Sequence, residues 1–386
     1  MKSEWRTVAL GSVADLTVGF VGTMASNYTE TGIPFLRSTN IEPFDIKLDD
    51  IKYISSNFNE SLRKSELHPN DVVIVRTGTP GACAVIPAGV KAWNCSDLVI
   101  VRPHRNKLNP LFLASYVNLA SGVINTQLVG AVQQHYNVGA AKKMQIPLPP
   151  IGEQDKIASI IGMLNKKITI NSKINDNLEQ QAAALFSSLY NRSNTEVRYT
   201  DLIQILGGGT PKTGETAYWN GNIAFFTPKD VGTPYTFITE KTITEEGLSH
   251  CNSRLYPVNT VFVTARGTVG KVGLSGIPMA MNQSCYALVG KETHQLLVYF
   301  YTLKAVDRLK HKASGAVFDA ITTRDFDSEQ IMKLSDDDAK AFLCVAEPMF
   351  QEMLNNSIEN LRLSTLRDFL LPKLMSGEID VSSVQL

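Results

Sequence analysis

The side chains in this sequence best placed to do chemistry are guanidiniums, carboxamides and hydroxyls gathered beside short turns. Arg37-Ser38-Thr39-Asn40 follows an apolar run, and Arg76-Thr77 leads into Gly78-Thr79-Pro80-Gly81. Gln133-Gln134-His135-Tyr136 sets two amides, an imidazole and a phenol side by side. In the second half of the chain the matching places hold Thr227, Lys229 and Asp230, then Arg266 and Gly267, then Phe318, Asp319 and Arg324. Arginine pairs bidentately with guanine, and asparagine or glutamine with adenine. Contacts to phosphate only position a protein on nucleic acid, and glycines such as Gly78 and Gly267 let backbone come close to a phosphate. The same residues have ordinary structural uses. Asn40 and Asp230 are equally suited to capping turns. Arg266 aligns with Thr77 rather than Arg76, which leaves one of the two arginines free to be a plain surface residue. Trp93 and Trp219 fit core or loop anchors better than stacking platforms.

Enzyme chemistry finds little to work with. Asn109-Pro110-Leu111-Phe112 only partly matches the Asn/Asp-Pro-Pro-aromatic motif of a methyltransferase and reads better as a helix start. Gly270-Lys271 lacks the Ser/Thr and the spacing of a Walker A loop, and Gly207-Gly208-Gly209 does not follow GxGxxG. There is no HExxH and no nuclease-like carboxylate cluster. The five cysteines (83, 95, 251, 285 and 344) form no CxxC pair, so neither a zinc knot nor a disulfide framework is expected, and a reducing cytoplasm is the simplest home. The expectation is a chain without catalysis, cofactor or metal.

At 386 residues, 44% hydrophobic and 19% charged, the chain has room for two domains with real cores. No apolar run approaches the ~18 residues of a membrane span, and the N-terminus lacks a signal peptide's apolar core. The formal net charge is zero, so any grip on nucleic acid must come from local patches. Residues 331–386 hold 5 Lys/Arg against 9 Asp/Glu, a segment expected to face protein or solvent.

Short apolar runs at Ile33–Arg37, Asp71–Arg76 and Leu98–Val101 read as strands, and Pro110–Leu119 as a helix. The polar stretch 130–136 reads as a loop. After a proline-rich step, residues 151–194 carry a long helical pattern. Counting Ile157 as position a, the a positions are Ile157, Leu164, Asn171, Leu178 and Leu185. The d positions are Ile161, Ile168, Asn175, Ala182 and Leu189. A run of roughly 33 residues at this pitch would span about 50 Å.

The second half repeats the first. Ile223–Val231 mirrors Ile33–Ile41, Val261-Phe262-Val263 mirrors Val73-Ile74-Val75, Gly267–Gly270 falls on Gly78–Gly81, and Asn282-Gln283-Ser284 falls on Asn94-Cys95-Ser96. Gly315–Val317 falls on Gly130–Val132. The helical pattern returns without a gap at Phe342, Ala346, Met349, Met353, Asn356, Asn360, Leu363, Arg367, Leu370 and Leu374. Both Asn positions recur. An antiparallel pair of equal helices would set Asn175 level with Asn356 and Asn171 level with Asn360, as a buried amide layer; the alternative leaves these residues on a solvated face with Ile174 turned inward. Ser335 with Asp336-Asp337-Asp338 suits a helix cap, Pro348 and Pro372 should disturb the second helix, and Gly377 suits its C-terminal stop.

These features resemble the DNA-specificity (S) subunits of type I restriction–modification systems, over essentially the whole chain. The most specific residues are Pro147-Leu148-Pro149-Pro150-Ile151-Gly152-Glu153-Gln154 opening the first long helix and Leu366–Ile379, LRDFLLPKLMSGEI, closing the second. Gly207–Pro211, Tyr218–Gly221 and Thr227–Val231 look like the opening of a target-recognition domain. The resemblance implies an α+β (mixed α/β) fold with two similar target-recognition domains, residues 1–150 and 195–334. They would be held apart by two long antiparallel helices forming a coiled coil, residues 151–194 and 335–386, with internal pseudo-twofold symmetry. It implies that each domain reads one half of a bipartite site in double-stranded DNA, through candidates Arg37, Asn40, Arg76, Gly78, Gln133, Gln134, His135 and Tyr136 in the first. In the second the candidates are Lys229, Asp230, Arg266, Gly267, Phe318 and Arg324. It further implies docking of two methyltransferase (M) subunits on the helices and addition of restriction (R) subunits, which supply methylation and cleavage. The second helix departs from the pattern, opening on SDDDAKAFLCVAEP instead of PLPPxxEQ. Alternatives are the specificity subunit of a related multi-subunit methyltransferase system and a coiled-coil protein scaffold.

Overall fold

A computed structural model describes residues 5–127, 137–232, 234–312, 320–382 and 384. The chain divides into two compact units, residues 1–169 with 360–386, and residues 170–359.

In the first unit, the strand Val72–Val75 is buried at every position. Such a strand has no solvent face, and each of its two faces feeds a different core. Val72 and Ile74 join Phe112, Leu113, Ile157, Ile161, Leu371 and Leu374 on one side. Val73 and Val75 join Leu36, Leu67 and Ile100 on the other. Its sheet runs in the order Cys83–Val85, Val72–Val75, Leu98–Pro103, Ala14–Val18, all neighbours antiparallel. A second, mixed sheet runs Tyr28–Thr29, Lys52–Ile54, Ile33–Leu36, Trp93–Cys95, Glu66–Leu67, with Trp93–Cys95 parallel to Ile33–Leu36. The helix Pro110–Gln127 covers the first core, and Asn109 starts it by accepting hydrogen bonds on Oδ1 from the N–H of Leu111 (2.9 Å) and Phe112 (3.1 Å). Arg6–Ala9 pairs with Gln145–Leu148.

The second unit repeats this plan with different strand numbers, five in the sheet around its buried strand and three in the mixed sheet. Ile203–Gly207, Cys285–Gly290, Val261–Thr264, Val272–Ser275 and Tyr235–Thr236 form one sheet; Lys241–Ile243, Trp219–Phe226 and Met279–Met281 form the other, the last two parallel. Thr195–Arg198 pairs with Gln330–Lys333. Val261 and Val263 face an aromatic core in which the rings of Phe186 and Phe300 stack at 5.0 Å, with Phe342 edge-on at 5.4 Å from Phe186. Phe262 faces the other core. Hydrogen bonds refine the repeat. Val75 N–H donates to Ala82 O, and Thr264 N–H to Lys271 O. Thr264 is therefore the counterpart of Val75, one residue further along than the sequence match placed it. Ser96 N–H donates to Leu36 O and Asn282 N–H to Phe226 O, both at 3.0 Å. Ser96, not Asn94, is the counterpart of Asn282. Asn94 is instead buried within its strand, donating to Asn59 Oδ1 and Leu62 O. Composition alone could not separate these registers, because Val72–Val75 and Val261–Val263 are runs of apolar residues that match equally well when shifted by one.

The long helices are Ile151–Arg192 and Asp336–Met375. Every heptad position of both is buried or half-buried. Within the second unit they run antiparallel: the Arg192 guanidinium pairs with Asp338, and Asn356 Nδ2 donates to Asn175 Oδ1 at 3.0 Å. Asn175 Nδ2 donates in turn to Met353 O (3.2 Å) and Ser357 Oγ (3.1 Å), while Asn171 Nδ2 donates to Glu359 Oε2 at 2.6 Å. Ile174 is 41% exposed, so the amides and not Ile174 face inward. Within the first unit Arg367 Nη1 donates to Asn165 Oδ1 at 3.0 Å. The second helix continues through Pro348 and Pro372. Ser335 Oγ caps it by accepting from Asp338 N–H (3.1 Å). Gly377, at φ +68°, stops it, with Glu378 N–H on Lys373 O and Gly377 N–H on Leu374 O.

Removing the Asn356 amide strips Asn175 Oδ1 of its partner beside a buried position. Asn356→Ala should destabilise the chain by about 1–3 kcal/mol, whereas leucine at both 175 and 356 should recover much of that and loosen register. Urea unfolding measures both, and an unshifted midpoint for Asn356→Ala would sink the polar-layer account.

Candidate nucleic-acid interface

In the second unit the buried strand Val261–Thr264 runs straight into an exposed turn. Gly267 and Gly270 take φ of +82° and +74°, backbone that side chains rarely adopt. Gly270 N–H donates to Thr264 O at 2.9 Å, and Thr264 Oγ1 accepts from Lys271 N–H at 2.9 Å and donates to Thr268 O. The turn is thus fastened at its base while Arg266 stands exposed at its start. Thr227, Lys229, Lys241, Arg266, Asn282 and Ser284 surround a concavity of about 460 Å³. Lys229 Nζ lies 3.6 Å from Glu240, both largely solvated, a pair worth little in water. Among the described residues Arg266 makes no ion pair. Asp230 has a different task. Its Oδ2 accepts from Thr227 N–H (2.7 Å) and Oγ1 (2.6 Å), and its Oδ1 from Glu240 N–H (2.8 Å), so it ties the segment holding Lys229 to its neighbour.

The first unit builds the same turn with other side chains. Gly78 and Gly81 take φ of +93° and +92°, and Gly81 N–H closes onto Val75 O at 3.0 Å. A Cβ on Gly78 would meet nothing within 4 Å, so the backbone conformation, not crowding, calls for glycine there, and the turn is open to an approaching ligand. Arg76 Nη1 donates to Asp97 Oδ1 at 2.9 Å, and Thr77 Oγ1 donates to Asp97 Oδ2 at 2.6 Å. Arg37 Nη2 donates to the carboxylate (2.8 Å) and carbonyl (2.5 Å) of Asp50. The Lys52 ammonium and the Arg37 guanidinium together hold the Asp50 carboxyl down to about 2. Asn40 is only 2% exposed; its Oδ1 accepts from Arg37 N–H and its Nδ2 donates to Lys47 O, each at 3.0 Å.

The remaining candidates are scattered. Gln133, Gln134, His135, Tyr136 and Phe318 lie outside the described residues. Arg324 is exposed on the short helix Thr323–Ser328 and lines a separate concavity with Gln204, Lys291 and Asp327. The segment entering that helix reaches the Arg266 turn, since Ile321 N–H donates to Ala265 O at 2.9 Å. Trp219 is half-buried, edge-on to Phe225 at 5.5 Å, and Trp93 packs against the core around Leu36, so both are anchors. No cluster of three or more His, Cys, Asp or Glu able to hold a metal occurs among the described residues, and none of the helices is long and apolar enough to cross a membrane.

A family profile described as "Type I restriction modification DNA specificity domain" matches residues 2–180 and 191–333. The chain belongs to this family. Among relatives, it is 28% identical over 186 residues to the type I restriction enzyme HindI specificity subunit of Haemophilus influenzae, covering 47% of this chain and 40% of that one. It is 32% identical over 124 residues to the MjaIX specificity subunit of Methanocaldococcus jannaschii, covering 31% and 29%. A putative MjaX specificity subunit of the same archaeon aligns over 345 residues at 22% identity, covering 80% and 78%. The first two alignments therefore span less than half of those relatives' lengths. In fold, the chain is similar to the crystal structure of a type I restriction-modification system S subunit from M. genitalium, with a TM-score of 0.59 at 14% identity and 96% coverage of both chains.

The specificity-domain fold gives the PLPPIGEQ motif a physical reason. Gln154 is fully buried; its Oε1 accepts from Asn109 N–H (2.9 Å), and its Nε2 donates to Lys107 O (2.9 Å) and Pro149 O (2.8 Å). One glutamine thereby fastens the proline step, the start of the long helix and the start of Pro110–Gln127. Sequence reasoning missed Asp97 and Lys241 beside the two turns. Asp97 sits next to the polar Asn94–Ser96 stretch, and the repeat could have marked it had the register been known.

Asn40 and Asp230 carry turns, so Asn40→Ala and Asp230→Ala should each destabilise by about 1–3 kcal/mol through unsatisfied partners. Exposed Lys229→Ala should stay within about 0.5 kcal/mol of the parent. Thermal unfolding of the three variants separates turn-holding residues from surface ones.

Proposed function

We propose that this chain is the sequence-specific DNA-binding subunit of a type I restriction–modification complex. Each compact unit reads one half of a bipartite duplex site, the long helices set the unread spacer and dock methyltransferase subunits, two per chain, and restriction subunits complete the assembly. The chain itself carries no catalysis; methylation and cleavage belong to the partners, and the setting is the cytoplasm. The names of its relatives, specificity subunits of type I restriction enzymes, point the same way.

The observation that carries this reading is one backbone used twice with different side chains on it. Both units run a buried strand into a turn with two left-handed glycines, Gly78 and Gly81 in one, Gly267 and Gly270 in the other. The side chains around the turn differ: Arg76, Thr77 and Asp97 in the first, Arg266, Asn282 and Ser284 in the second. A reader of two unlike half-sites needs a common scaffold with unlike polar groups at its tip. With zero formal net charge, binding must rest on patches such as Lys229, Lys241 and Arg266 rather than on bulk attraction. The candidates in residues 133–136, with Phe318 and Arg324, are proposed as further contacts.

Methylation mapping in cells holding the complete system should give a bipartite motif, and a unipartite one would overturn the reading. Adding residues to both long helices should lengthen the spacer and leave both half-sites unchanged. Lys229→Ala and Arg266→Ala should each lower the slope of log K against log salt by about one if the lost contact is to phosphate. Filter binding across a salt series checks this.

A further inference from the structure

Beyond general DNA binding, the geometry points to Asp97 as a base-reading residue of the first unit, its carboxylate accepting a hydrogen bond from an exocyclic amino group in the major groove. The inference rests on the proposed DNA-reading role of this unit.

Its placement follows from the ladder. Val75 pairs with Leu98 at the end of two antiparallel strands, so Arg76 and Asp97 are the next cross-strand neighbours beyond it. Asp97 takes φ +53°, a conformation uncommon for a non-glycine residue, and its N–H is fixed on Phe20 O at 3.1 Å. Both carboxylate oxygens are then engaged from the protein side, Oδ1 by Arg76 and Oδ2 by Thr77. Each oxygen keeps lone-pair capacity for a further donor.

Between the two members of the pair, the carboxylate is the one presented. The Asp97 side chain is 40% exposed, against 19% for Arg76. Bidentate reading of guanine needs two adjacent N–H groups on one guanidinium edge. Arg76 Nη1 already donates to Asp97 and its Nε is buried, so its guanidinium is the less available of the two groups. A fixed carboxylate beside DNA repels phosphate and accepts only from donors. In the major groove those are cytosine N4 and adenine N6. Arg76 and Thr77 are positioning residues that hold the carboxylate and offset its charge. In the second unit the corresponding cross-strand pair is Ala265 and Ser284, with Ala265 N–H on Ser284 O at 2.8 Å. A serine hydroxyl can donate or accept, so that site carries no such restriction.

The test is selection of bound duplexes from a randomised pool by the purified full chain, with and without its methyltransferase subunits, for wild type, Asp97→Asn, Thr77→Val and Arg266→Ala. Wild type should select a bipartite sequence with cytosine or adenine at one position that Asp97→Asn changes. Discrimination there should fall on the order of tenfold, with the other half-site intact. Thr77→Val, which frees one carboxylate oxygen, should relax that same position more weakly. Arg266→Ala should alter only the other half-site. An unchanged selected sequence for Asp97→Asn and Thr77→Val, with wild type still selective, overturns the inference and leaves the DNA-reading function standing. Loss of preference at every position in Asp97→Asn, with Thr77→Val unchanged at the expected position, also overturns it and marks Asp97 as structural. No selected sequence from wild type in either condition overturns the function itself, and this inference with it.

Discussion

A strand that is buried at every position has no face to give to water, so it is covered on both sides. Val72–Val75 and Val261–Thr264 impose this condition on their units. Each is flanked by antiparallel neighbours and lies between two cores, one shared with the long helices and the other with the mixed sheet. Because both faces are filled, a one-residue slip would exchange the residues entering the two cores. The register is therefore held firmly, and the turn that follows begins at a fixed place. Arg76 and Asp97 meet because they are the first pair beyond the ladder, and Arg266 is exposed because it is one residue further along its turn. The polar groups proposed to read DNA are positioned by packing that contains almost no polar atoms.

The long helices obey a mixed rule. Aromatic and aliphatic residues such as Phe186, Phe342, Ile157 and Leu374 bring the helices into the two cores. At the Asn175–Asn356 contact the seam turns polar, and burial is tolerated because each amide finds partners on the facing helix. An apolar seam permits sliding by whole turns, and a paired amide resists it. If helix length sets the distance between half-sites, fixed register is a functional requirement as well as a structural one.

Much of this was legible in the sequence for a physical reason: periodicity is local. The heptads, the Ser335 cap, the Gly377 stop and the glycine turns each depend on residues within a few positions of one another. The match between halves depends on the order of residues within short segments. At Pro348 the helix runs on without a restart. A missing N–H costs one hydrogen bond, and the packing of Ala346, Phe350 and Met353 against the aromatic core offsets it.

The site was legible only in outline. By itself the sequence determined that polar side chains cluster beside duplicated glycine turns, that the chain lacks recognisable catalytic motifs and that two long helices share a seam. It could not separate turn-holding Asn40 and Asp230 from exposed Lys229 and Arg266, because all four are polar residues near turns. Tertiary structure decided that by burial and by where each hydrogen-bonding atom finds its partner. It also brought Asp97 to Arg76 and Thr77, about twenty positions away in the chain. Cross-strand neighbours are set by register, and register is set by how two cores fill, a property of the folded chain that no short stretch of sequence contains.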